Sequence, residues 1–240
     1  MIRCKLRKYA IVLPLCAVFF TLLCTYTYLR FYNYLNSDYS EKLSQKNIFY
    51  NVAGGDGDYI ILFVLFLFYI FTDENESYIV RLKSRASFVT RRIADCAVFA
   101  FLFSFLIEAV NVVAALICFD INLILELNFL QYSALELLFL FYFRAGLVML
   151  SFGIIISPKV APFITIALYL IELFATIIFM ISKVWLPFRD SVVVSKLMHG
   201  EMVLSDMWGI ILRALLMMFL LIFSSYFLYQ KKDVLSNVKK

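Results

Sequence analysis

This chain of 240 residues is 64% hydrophobic and only 16% charged, with a mean hydropathy of +0.90. A soluble domain is about 45–50% apolar and about 25% charged, and no globular fold of this size hides so much apolar side chain from water. A soluble enzyme, a disordered regulator and a secreted disulfide scaffold are therefore excluded, and the net charge of +5 is distributed as a membrane topology signal, not as a nucleic-acid footprint. The apolar stretches are continuous runs rather than short alternating segments, so helical spans are expected and an outer-membrane barrel is not.

The first predicted span covers 9–28, behind Arg3, Lys5, Arg7 and Lys8. Its apolar run is too long for a signal-peptide core, and no small-x-small cleavage site follows, so it reads as an uncleaved anchor. A polar, Tyr-rich outer segment, 30–57, ends in Ala53-Gly54-Gly55-Asp56-Gly57-Asp58. It lacks the phosphate-loop pattern and the spaced acidic ligands of a calcium loop, and reads as a turn before a helix. The second predicted span, 59–72, is short for a bilayer crossing. The third covers 93–119 and the fourth 132–156. The fifth, 160–182, is set off by Ser157-Pro158-Lys159, a turn tight enough to make these two antiparallel neighbours. An outer segment, 183–206, contains Trp185, Pro187 and Phe188, and the sixth span covers 207–229. The expected fold class is all-α, a polytopic bundle of six transmembrane helices forming a single transmembrane domain.

Lys and Arg collect on the cytoplasmic side. With six spans and both termini cytoplasmic, that side holds four before the first span, five within 81–92, Lys159, and four at the C-terminal end, fourteen in all. The opposite side holds six: Arg30, Lys42, Lys46, Lys183, Arg189 and Lys196. If 59–72 did not cross, the basic cluster at 81–92 would face away from the basic N-terminal segment. The charge bias therefore argues that the short second span crosses.

Charges inside spans are costly and are paired or functional. Here they are Asp95, Glu108, Glu136, Arg144, Glu172 and Arg213. Asp95 is one turn from Arg91 and Arg92, and Glu136 is near the outer surface. Counted at the helical rise, Glu108 lies about 15 Å below Cys118 and Arg144 about 18 Å below Tyr132. Those equal depths on consecutive antiparallel helices make Glu108–Arg144 the expected pair. Glu172 and Arg213, counted to about 15 and 9 Å, make a second. Ion pairs that hold helices in register are the first reading. A polar substrate route or a proton relay is the second.

The five cysteines include no C-x-x-C pair and read as small buried hydrophobes. His199 is the one histidine, so no multi-histidine metal site is expected. No catalytic constellation is visible, and the chain is not expected to be an enzyme.

The inner segment 73–92 begins acidic, with Asp73, Glu74 and Glu76, and turns basic. Arg81-Leu82-Lys83-Ser84-Arg85, between the second and third spans, resembles the R-x-x-S-R pattern of small ABC-2-type transporter permeases, which occur widely in Gram-positive bacteria, often beside peptide-antibiotic genes. The length, the six spans and the cytoplasmic termini are similar too. The resemblance implies a permease in the bacterial plasma membrane, acting as a homodimer or heterodimer with a separate ABC ATPase subunit. ATP would be bound by that partner and no cofactor by this chain. It implies that 73–92 docks on the ATPase through Glu74, Glu76, Arg81 and Arg85, and that 183–206 caps the pathway outside.

The function so implied is export of a hydrophobic or amphipathic substrate, such as a peptide antibiotic or small molecule, with a resistance or immunity role. Alternatives are an ion-coupled carrier using Glu108 or Glu172, and a non-transporting immunity or interaction protein. Membrane lipid, and no nucleic acid, completes the expected partners.

Overall fold

The computed structural model describes residues 2–36, 59–71, 85–126, 128–177 and 204–231. They form helices α1 (Ile2–Leu35), α2 (Ile60–Phe71), α3 (Arg85–Cys118), α4 (Ile121–Glu126), α5 (Asn128–Ile155), α6 (Ala161–Ile177) and α7 (Leu204–Lys231). No strand occurs among the described residues. Three stretches are long and apolar enough to cross a bilayer: Ala86–Cys118, Gln131–Ile155 and Asp206–Gln230. α2 and α6 are apolar but shorter. Residues 37–58, 72–84, 178–203 and 232–240 lie outside the described residues.

Side-chain contacts fix the direction of each helix. Phe19 stacks on Phe103, and Phe31 meets Phe119 edge-on, so α1 and α3 are parallel. Phe63 lies 5.5 Å from Phe99 while the Phe71 ring sits under Arg92, so α2 runs against α3. Tyr142 packs on Phe103 and Gly146 on Cys96, so α5 also runs against α3. Tyr169 meets Phe141, and Ala161 faces Gly153; α6 is antiparallel to α5. Ser151 is hydrogen-bonded to Ser225, while Leu137 and Leu140 share a cluster with Met207 and Ile211; α7 is parallel to α5. With the shorter α2 and α6 counted, the sequence α1, α2, α3, α5, α6, α7 therefore alternates in direction along the chain.

α5 is the axis of the bundle. It packs against α2, α3, α4, α6 and α7, and 67% of its apolar stretch is buried, against 44% for α3 and 28% for α7. On one side lies an aromatic core. Phe63 and Tyr142 are fully buried, and Phe63 has the rings of Phe99, Phe103 and Tyr142 at 5.5, 5.5 and 5.0 Å. Gly146 makes this approach possible: a Cβ there would stand 3.2 Å from Leu67 and 3.3 Å from Cys96. Between helices in lipid, close fit of this kind replaces the hydrophobic drive that operates in water.

Several boundaries differ from the predicted ones. α1 extends beyond 9–28 at both ends, α3 begins at Arg85 rather than 93, and α4 occupies residues expected in a loop. Hydropathy marks only the part of a helix that suits lipid. The helix itself continues while no breaker intervenes, and Arg85–Cys118 holds neither Gly nor Pro. At about 51 Å, α3 is longer than the roughly 30 Å hydrocarbon core. α5 stops where Pro158 cannot continue it. Ser157 then starts α6, its carbonyl accepting from the amides of Val160 and Ala161 at 3.2 and 3.0 Å.

Candidate functional site

Of the residues expected at a partner interface, Glu74, Glu76 and Arg81 lie outside the described residues, and Arg85 is the first residue of α3. The inner half of the expected docking segment is thus corrected: 85–92 is the opening of α3, continuous with the span and not a separate helix. Arg92 there is buried. Its guanidinium donates to the carbonyl of Phe71 at 3.2 Å and lies 4.2 Å from the Phe71 ring centre. α2 is described as far as Phe71, and a cation on one of its last described carbonyls suits the direction of the helix dipole. Arg92 therefore caps α2, which ties the start of α3 to the end of α2.

The intramembrane charges divide by level. Glu108, 7% exposed, accepts from Asn111 Nδ2 at 3.5 Å on its own helix. Arg144, 2% exposed, donates from Nε to the Tyr169 hydroxyl of α6 at 3.4 Å, with its guanidinium 5.5 Å from the Phe141 ring centre. The equal depth expected for Glu108 and Arg144 is not what the packing gives. Tyr142 is opposite Phe103 and Gly146 opposite Cys96, so Arg144 is level with residues close to Phe99. Glu108 lies further toward the Cys118 end of α3 by about nine residues, or about 13 Å. The count went astray at its datum. Tyr132 was set level with Cys118, but on this register it lies about seven residues deeper, about two turns. Glu172 follows Tyr169 by one turn, and Arg213 is half-buried on α7 with its Nε shielded from solvent.

Hydrogen bonds between helices join polar residues that hydropathy alone passes over. Ser151 of α5 meets Ser225 of α7 at 3.0 Å, and both are buried. Thr90 of α3 meets the Tyr226 hydroxyl at 2.6 Å. Tyr169 and Asn111, the partners of Arg144 and Glu108, were likewise not singled out. The available signal was a lone polar group inside an apolar run, since such groups seek partners across helices. Cys24, Cys96 and Cys118 are free thiols; Cys96 is wholly buried, as expected of a packing residue, whereas Cys24 and Cys118 are only half-buried. Among the described residues, no three metal-ligating side chains come together.

What this arrangement does chemically is hold helices together. Arg144 and Glu108 put polar groups into the interior of an apolar bundle at two levels, one at the middle of α5 and one nearer the Cys118 end of α3. No protein-family model, curated protein or solved structure matches the chain.

Proposed function

We propose that this chain is a six-span membrane permease subunit of an ABC exporter, moving a hydrophobic or amphipathic substrate with ATP hydrolysed by a separate chain. The observation that carries the reading is the junction at Arg85. The basic run Arg81-Leu82-Lys83-Ser84-Arg85 leads straight into α3, which is longer than the bilayer core and is tied to α2 by Arg92. A force received there would pass directly into the packed aromatic core. The alternation of helix directions supports a crossing by α2, hence the basic segment on the same side as the N-terminal charges. In this reading the membrane is a bacterial plasma membrane, both termini are cytoplasmic, and two such subunits line the pathway.

The experiment is a charge reversal outside the membrane. A tagged chain carrying Glu76→Arg and Arg81→Glu should insert normally yet lose co-purifying ATPase and its substrate-stimulated hydrolysis. Retention of a full complement of active ATPase would remove the coupling role from 73–92. A second reading, an ion-coupled carrier, is favoured by the burial of the Glu108 carboxylate. It requires that Glu108→Gln abolish gradient-driven flux in proteoliposomes without ATP.

A further inference from the structure

The packing groups the intramembrane charges differently from the pairs that depth counting suggests. Arg144 projects from α5 between its two flanking helices. Its Nε reaches Tyr169 on α6, while Leu140 and Leu147, above and below it on the same stripe, pack on α7. α6 and α7 both lean on α5 and scarcely touch each other. The seam between them is therefore closed by whatever long side chains reach across it.

Glu172 is placed to do this. It lies about two turns beyond Thr165 and three beyond Ala161, so it shares their side of α6. Both are buried, and Ala161 faces Gly153 of α5. Glu172 therefore points toward α5, one turn from the hydroxyl that already receives Arg144.

Arg213 comes from the other flank. With Ser151 opposite Ser225 and the two helices parallel, Arg213 is level with Phe139, about 7 Å along the bundle from Arg144. It lies off the stripe of Ile210, Ile211, Ala214 and Met218 that packs on α5. It is also turned away from Tyr226 and Tyr229, which face Thr90 and Phe88 of α3. The side left to it is the one toward α6.

The geometry points to Glu172 as one carboxylate shared by Arg144 and Arg213, an ionic clamp across the lateral seam between α6 and α7. A carboxylate has two oxygens and accepts from two guanidinium groups at once. Glu108 takes no part, because it lies about 13 Å from the level of Arg144, on a different helix flank. Neutralising Glu172 strands two cations in the seam, whereas neutralising either arginine leaves one pair intact. The clamp is independent of ATP coupling and of any exported substrate.

The test uses the full chain with its five native cysteines replaced by Ala and with Leu168→Cys and Met217→Cys flanking the seam. Oxidative cross-linking between them in proteoliposomes should be rapid. Glu172→Gln should slow it about tenfold, the order that an interhelical polar contact in lipid supplies. Arg144→Met or Arg213→Met should slow it less, and Glu108→Gln should leave it unchanged. If Glu172→Gln proves too unstable to assay, the triple variant Glu172→Gln/Arg144→Met/Arg213→Met should recover monodisperse yield, since no charge is left in the seam. Failure of the parent to cross-link, equal rates with and without Glu172, a Glu108→Gln effect as large as that of Glu172→Gln, or a triple variant no better than the single one would each overturn the clamp. The ATPase co-purification experiment can fail without touching any of these outcomes.

Discussion

The two sides of α5 are built on different principles. Toward α1, α2 and α3 the contacts are rings: Phe19, Phe63, Phe99, Phe103 and Tyr142 interlock with few polar atoms among them. Toward α7 the contacts are aliphatic with a polar bridge at Ser151–Ser225, and toward α6 a ring contact of Tyr169 on Phe141 is joined by the Arg144–Tyr169 hydrogen bond. Rings provide area and shape at one place. Isolated polar bridges provide little energy each, but they specify register, because a sliding helix must give them up. One side is thus suited to staying fixed and the other to shifting between defined positions.

Substitutions at four positions probe that contrast, each read as unfolding free energy in mixed micelles. Phe63→Ala should cost most, about 3 kcal/mol, because it empties the centre of the ring cluster. A loss below that of any polar bridge would break the comparison. Gly146→Leu should cost about 2 kcal/mol by overpacking against Leu67 and Cys96, and should also loosen α2. Gly146→Ala should cost less, and the two together measure how rigid the aromatic side is. Arg92→Met keeps the aliphatic stem but loses the cap on α2, and should cost about 1–2 kcal/mol. Its effect should appear first as cysteine accessibility at the end of α2. Ser151→Ala should cost least, about 0.6 kcal/mol, since Ser225 keeps its bond to the Leu221 carbonyl. It should nonetheless change the cross-linking register of α5 against α7, which Phe63→Ala should not. A Ser151→Ala variant that loses stability but keeps its register would reverse the roles given to the two sides.

Much of this architecture was legible in the residues. Apolar runs located the long helices, Ser157-Pro158-Lys159 marked the α5–α6 reversal, and the charge bias gave α2 a direction that the packing shares. The partner of Arg144 was not legible. Depth counting requires a common surface from which to start, and α4 displaces α5 by about two turns relative to α3. The capping role of Arg92 was hidden for another reason. As an arginine expected on the cytoplasmic side it satisfies a topology rule, and nothing in its neighbours along the chain shows that Phe71 will lie beneath it. Glu74, Glu76 and Arg81 stand where the reading began, outside the described residues.

One feature of α2 bears on the lipid itself. The helix Ile60–Phe71 has twelve residues, about 18 Å at the helical rise, and one stripe of it, Ile61, Leu65 and Tyr69, is exposed. A hydrocarbon core of about 30 Å does not match a stripe of that length. A helix that ends with this stripe would draw the leaflets together beside it, with a local preference for short or disordered chains.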